Sequence, residues 1–171
     1  KKKNFNLNKK KFIFCTKMMK HRGPDDLQYH YEKNLFFGFN RLSIIDLSKN
    51  GSQPFISESR NDVLVFNGEI YNAQRLRTDE LNNQTFKSYS DTEVLLKMYQ
   101  KYDEKMLNKI KGMFSFLIFN KKKGEIFIAR DQFGIKPLYL YEDENLFIFS
   151  SEIKPILKYV NKNKISDRSI I

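Results

Sequence analysis

Three short stretches hold the residue types from which a pocket for an amino acid can be built. Asn67-Gly68-Glu69 follows Val63-Leu-Val-Phe66, an apolar run that reads as a short buried strand leading into a turn-prone pair. A side-chain amide and a backbone N–H offered together are the donors an oxyanion hole requires. Arg41 lies near the end of the aromatic stretch Leu35–Ile45, a rigid base from which a guanidinium can clamp a carboxylate bidentately. Asp91 falls in the first turn of an expected helix, where its carboxylate can hold a substrate ammonium. Each also has a plainer reading. Asn-Gly is commonly just a turn. A lone arginine or a helix-start aspartate is commonly a surface pair or a cap.

The elements that must position these residues follow from pattern. Residues 8–20 read as a helix, with Phe12, Cys15 or Thr16, and Met19 at helical spacing. His21-Arg-Gly-Pro-Asp-Asp26 ends it with a loop signal. Leu35–Ile45 suits a strand, with a kink allowed at Gly38, and residues 70–82 suit a helix. Ser90-Asp-Thr-Glu93 is a capping-box pattern opening a second helix through about Tyr102. Strands are expected at 114–120, 125–130, 138–141 and 146–150, then a short helix at 151–158. Helix, strands, two helices and a run of strands imply an α+β fold with antiparallel sheets, the last four strands forming a meander.

Composition bounds the rest. A chain of 171 residues fits one domain with a real core, and 40% hydrophobic with 15% aromatic residues is not a disordered polymer. No apolar run reaches the roughly 18–20 residues that span a bilayer. Lys1–Lys11 leads into no apolar core of the secretory kind. One cysteine makes no internal disulfide, and with two histidines it is poor material for a structural zinc site. A cytoplasmic domain without metal, membrane or nucleic-acid partner is therefore expected. The net charge of +11 sits in scattered lysines and the short runs Lys1–Lys3, Lys9–Lys11 and Lys121–Lys123, which read as solvated surface. Lys111–Phe119 bears a faint likeness to a strand of RNA-recognition motifs, but Met113 and Phe114 stand where an aromatic and a small residue belong. A basic RNA-binding module is thus the remote alternative.

Five ordered motifs carry a resemblance. They are His21–Asp26, Arg41-Leu-Ser-Ile-Ile-Asp46, Phe66-Asn-Gly-Glu-Ile-Tyr71, Ser90-Asp-Thr-Glu93 and Arg130-Asp-Gln-Phe-Gly-Ile-Lys-Pro-Leu-Tyr139, with Ser151-Glu-Ile-Lys154 closing the series. Over roughly residues 8–160 the chain resembles the N-terminal, class II glutamine amidotransferase domain of glutamine-dependent asparagine synthetases. The resemblance implies an N-terminal-nucleophile fold, a four-layer sandwich of two antiparallel sheets between helices. It implies that Arg41 binds the α-carboxylate of glutamine, that Asp91 holds its α-ammonium and that Glu69 fixes the same end. Asn67 and the N–H of Gly68 would form the oxyanion hole. Residues 1–160 would be the amidotransferase domain, truncated at its N-terminus, and 161–171 the start of a linker or tail. The implied partner is a C-terminal or separate synthetase domain, which alone would use Mg-ATP, and a homodimer is left open. His21 and Arg130-Asp131 are expected to be structural.

The resemblance also calls for a nucleophilic cysteine at the N-terminus, with its own α-amino group as base. This sequence opens Lys1-Lys-Lys-Asn-Phe-Asn-Leu7, and Phe5-Asn6 resembles the exit of the family's first strand. Cys15, inside the first helix, reads as a small core residue. As the sequence stands, a glutaminase domain without its thiol is expected. The alternatives are a chain whose start lies upstream, a dead structural or glutamine-binding pseudo-domain, and a domain serving another nitrogen acceptor.

Overall fold

The computed structural model describes residues 7–32, 34–44 and 46–161. Helix α1 (Lys9–Lys17) is capped by Asn8, whose side chain accepts the Lys11 N–H at 2.9 Å. It stops earlier than the expected 8–20 span and passes through a single 3₁₀ turn at Lys20–Arg22. A hairpin of β1 (Asp26–Glu32) and β2 (Leu35–Arg41) follows. The sequence pattern had not signalled β1. Leu27, Tyr29 and Tyr31 alternate with Gln28 and His30, but the hairpin loop beside them is too short to read as a separate turn. The expected strand Leu35–Ile45 ends at Arg41, and Ile45 lies outside the described residues.

Strands β3 (Phe55–Ile56), β4 (Asp62–Ile70), β5 (Gly112–Asn120) and β6 (Glu125–Arg130) form one antiparallel sheet in that order. Between β4 and β5 lie α2 (Ala73–Asp79), α3 (Asp91–Tyr102) and a 3₁₀ turn at Asp103–Asn108. Hairpin β7 (Tyr139–Glu142) and β8 (Phe147–Ser150) leads into α4 (Ile153–Val160).

The period-two alternation of β4 and β5 sorts the layers. Leu64, Phe66, Phe116 and Ile118 pack with Val94, Leu95 and Met98 of α3. Val63, Val65 and Leu117 point the other way, against Phe37 of β2, with Phe149 of β8 packed on the same cluster. The rings of Phe37 and Phe119 stack across that interface at 6.4 Å. Helix α1 covers β2 and packs on α4. The close approach of α1 to β2 needs Gly38, where a Cβ would lie 2.7 Å from Thr16 Cγ2. The order is α2–α3, the four-stranded sheet, the two hairpins, then α1–α4. This is the expected four-layer sandwich, and burial of each large apolar side chain in its two clusters contributes about 1.5–3 kcal/mol.

Two expectations need correction. The strand begun at Val63 does not turn at Asn67-Gly68; it continues through Gly68, paired with Phe114, to Ile70, paired with Gly112. The ladder to β5 outweighs the local turn preference, because no Cβ stands in the way at Gly68 or Gly112. The turn comes at Asn72, whose side chain bonds Lys109 O and Lys111 N at 2.9 and 2.8 Å, so the helix expected at 70–82 begins only at Ala73. Nor do the last four strands form one meander. After β6 the chain leaves the sheet, and β7–β8 forms a two-stranded sheet of its own, packed through Phe149 on the cluster that holds Phe37 of β2.

Asp131 explains that departure. Its buried carboxylate accepts N–H groups from Phe114, Phe133, Ile135 and Lys136, pinning the 131–137 loop to the start of β5. Burial pushes this carboxyl up, but the four amides outweigh burial and hold it below its ordinary range. Arg130 closes the same loop onto the carbonyls of Gly134 and Lys136. No helix among the described residues is long and apolar enough to cross a membrane.

Candidate functional site

One cleft of about 540 Å³ opens between the end of β2, the far half of β4 and the start of α3. Arg41, Asn67, Gly68, Glu69 and Asp91 all line it. The five residues picked from sequence therefore converge, although they come from three separate elements.

Arg41 is buried at the last position of β2. Its guanidinium donates to Ser52 Oγ at 3.0 Å and to the carbonyl of Asp46. None of the ion pairs among the described residues includes it. Its hydrogen bonds go to neutral oxygens, and its charge also acts on the neighbouring Asp46 carboxylate, so a buried fork with no acid bonded to it faces the cleft. Asp46 is held by the N–H groups of Ser48 and Tyr89 at 2.8 and 3.0 Å. The Ser48 hydroxyl, those amides and Arg41 keep its carboxyl below the ordinary range against the cost of burial. The loop carrying Arg41's partner is thus tied to the loop that precedes α3.

Asp91 opens α3, behind an N-cap at Ser90 whose hydroxyl accepts the Glu93 N–H. The capping-box pattern is only half used. Glu93 is buried, and its carboxylate turns to the N–H groups of Lys87 and Ser88 and the Ser88 hydroxyl. Asp91 Oδ2 accepts the Ile70 N–H at 2.9 Å. Burial is the main cause that raises the Asp91 carboxyl above its ordinary range; the Glu69 charge adds to it, and neighbouring N–H groups oppose it. Glu69 is exposed on the cleft rim. Two carboxylates facing one space, one of them desolvated, form a site that a cation would relax.

On β4, Asn67 Nδ2 is buried without a hydrogen-bond partner among the described residues. A buried donor left open costs about 1–3 kcal/mol unless something accepts from it. Beside it the backbone of Gly68 lies against β5 so tightly that a Cβ would sit 2.2 Å from the Met113 carbonyl. Asn40 Oδ1, also at the cleft, is the matching orphan acceptor, while its Nδ2 bonds the Thr16 carbonyl at 3.0 Å.

Sequence reasoning missed Gln53, Asn40, Arg22 and Lys136, which line the same cleft. No local signal marks Gln53; only the register between β3 and β4 brings it to Phe66. His21 reaches Glu152 at 2.7 Å, not the adjacent Asp25, whose carboxylate accepts the Ser43 N–H. No group of three or more His, Cys, Asp or Glu that could hold a metal occurs among the described residues. Cys15 is buried in α1 and lines a different, apolar cavity of about 290 Å³; burial pushes its thiol up, away from the reactive thiolate. Phe114 and Phe116 of the RNA-like stretch are buried in the core.

A family profile for the glutamine amidotransferase domain matches residues 2–171. The chain is 45% identical over 139 residues to Asparagine synthetase [glutamine-hydrolyzing] 2 of Bacillus subtilis, covering 81% of this chain and 18% of that protein. It is 44% identical over 156 residues to Asparagine synthetase [glutamine-hydrolyzing] 1 of the same organism, covering 91% and 24%. Against Asparagine synthetase B [glutamine-hydrolyzing] of Escherichia coli it is 36% identical over 150 residues, covering 87% and 27%. Among solved structures, glutamine phosphoribosylpyrophosphate amidotransferase from B. subtilis superposes with a TM-score of 0.61 at 25% identity, over 72% of this chain and 29% of that one. The chain thus spans about a quarter or less of the length of the two B. subtilis synthetases.

Proposed function

Since the chain belongs to the glutamine amidotransferase domain family, we propose that its cleft binds L-glutamine and polarises the side-chain amide for release of ammonia. The observation that carries this reading is the sorting of charge inside one cleft. A buried guanidinium hydrogen-bonded only to neutral oxygens stands at one side, a desolvated carboxylate at another, and an open amide donor on β4. An α-amino acid with a neutral, polarisable carbonyl complements all three.

In this reading Arg41 takes the α-carboxylate, while Asp91 and Glu69 take the α-ammonium. Asn67 Nδ2 and the Gly68 N–H receive the amide oxygen. Attack by a thiolate forms a C–S bond and moves the carbonyl electron pair onto oxygen, where the two donors stabilise it. Collapse breaks the C–N bond as the nitrogen takes up the proton that the thiol gave up on forming the thiolate, so ammonia leaves; water then hydrolyses the thioester to glutamate and returns the thiol. Cys15 cannot supply that thiol, being buried in α1 and lacking a terminal amine. The groups named here bind and polarise.

Identities of 34–45% to asparagine synthetases favour aspartate-amide synthesis as the use of the ammonia over transfer to other acceptors. On that basis a synthetase domain is the partner, Mg-ATP is bound there and not in this domain, and the setting is the cytoplasm. Calorimetric titration of the 171-residue protein with L-glutamine tests the binding step. Saturable binding that Arg41→Met abolishes is expected. Absence of any binding heat or glutamine-induced spectral change would remove the proposal.

A further inference from the structure

Gln53 has no place in the chemistry above, yet it is buried and its carboxamide is fully engaged. Its Oε1 accepts the Phe66 N–H at 2.6 Å, and its Nε2 donates to the Phe66 carbonyl at 3.0 Å. The same Nε2 lies 3.4 Å from Thr92 Oγ1. The ladder of β3 on β4 pairs Ile56 with Val63 and Phe55 with Leu64. Continued, it would bring Pro54 beside Val65 and Gln53 beside Phe66. β3 nevertheless spans only Phe55–Ile56, so the backbone of Gln53 does not take up the next bonded pair of the ladder. The buried edge of β4 at Phe66 would then hold an orphan donor and an orphan acceptor. The Gln53 side chain serves both, acting as one more residue of strand. Phe66 is the residue immediately before Asn67-Gly68, and Thr92 immediately follows Asp91.

We propose that Gln53 is a positioning residue: its carboxamide fixes the β4 backbone at Phe66, and ties it to the start of α3, so that Asn67 and Gly68 present their donors in register with the Asp91 end of the cleft. The proposal rests on the reading of the cleft as a glutamine site. It assigns the separation between the two ends of the substrate to one side chain that touches neither.

The test is ¹⁵N-resolved spectroscopy of the 171-residue protein, wild type against Gln53→Met and Gln53→Glu. Glutamate keeps the acceptor for Phe66 but loses the donor to its carbonyl. In the wild type, glutamine should shift the Asn67 side-chain amide and the Gly68 amide together with resonances at Asp91. In Gln53→Met the Asp91 response should survive, with affinity within about threefold, while the Asn67 and Gly68 shifts are lost. Exchange at Gly68 should also quicken by on the order of tenfold, as expected when a local opening is eased. Gln53→Glu should fall between the two and keeps the test alive should the methionine variant unfold. Full Asn67 and Gly68 responses in both variants, with unchanged exchange, would reduce Gln53 to packing. If wild-type protein ignores glutamine, the proposed function fails, and the exchange at Gly68 alone still decides the role of Gln53.

Discussion

Asp91 Oδ2 receives the backbone N–H of Ile70 at 2.9 Å, which joins the first residue of α3 to the last residue of β4. With the Thr92 N–H, that bond holds a buried carboxylate at the wall of a cleft that also holds Glu69. A charge so placed is costly until a cation arrives, and its protonation should report the arrival.

Acid should therefore weaken ligand binding through Asp91. Burial raises its pKa, so the free protein binds a proton there more readily than an unfolded chain does. In stability terms, the contribution is fully present below the unfolded value of about 3.9 and is lost as pH rises through the folded one. An ammonium ligand favours the ionised form, so glutamine affinity should fall as pH drops through that raised value, with a proton released on binding. Asp91→Asn should flatten the profile. Calorimetry in buffers of different ionisation enthalpy across the acid range measures both effects, and an unchanged profile in the variant would count against the assignment.

Arg41→Lys should cost at least about tenfold in glutamine affinity, because a lysine replaces a bidentate fork with a point charge. Arg41→Met should bind nothing measurable and yet remain folded, at a cost of about 1–3 kcal/mol, since it removes the bonds to Ser52 and the Asp46 carbonyl and the charge beside the Asp46 carboxylate. Titration and urea unfolding on the same samples separate the two. A large stability loss in the methionine variant would mean that Arg41 is chiefly structural.

Gly68→Ala should destabilise by about 2–4 kcal/mol, as its Cβ would meet the Met113 carbonyl at 2.2 Å and Phe114 Cα at 2.8 Å. Gly124 makes the contrast. It turns β5 into β6 at φ +68°, and an added Cβ there would meet nothing within 4 Å, so Gly124→Ala should cost only about 1–2 kcal/mol from the left-handed backbone. Equal losses in urea titrations would contradict the close approach of β4 and β5.

Asp131→Asn should loosen the 131–137 loop, because only one of its two acceptor oxygens would remain for four N–H groups. The wild-type carboxyl is held below its ordinary range, so the stability it contributes is present above the unfolded value of about 3.9 and is lost as pH falls through the folded one. Thermal melts from neutral to acid pH should show a smaller acid loss in the variant. Proteolysis should cut it first near Phe133, which is already 79% exposed.

Much of the site was legible in the chain order, for reasons of chemistry. Arg41, Asn67-Gly68 and Asp91 stand at the ends of patterned segments, where a side chain can leave an element and face a ligand. The helix beginning at Ser90 was legible because its cap is local, as was the break between the strands expected at 114–120 and 125–130, where Gly124 turns the chain. The Phe5-Asn6 likeness to a strand exit and most of the 161–171 tail fall outside the described residues. Strand β1 and the length of β4 were not legible, because a ladder is a property of two segments distant in sequence.

Local chemistry in the sequence determined which side chains could clamp a carboxylate, hold an ammonium or offer an oxyanion donor, and it determined the α+β order of elements. Only the tertiary structure decided that Asn-Gly would be strand and not turn, since pairing with β5 outweighs a dipeptide's preference. It alone turned Glu93 away from its cap and set Gln53 against Phe66. Packing across layers, which no single window of sequence encodes, closed residues from three separate elements around one cleft.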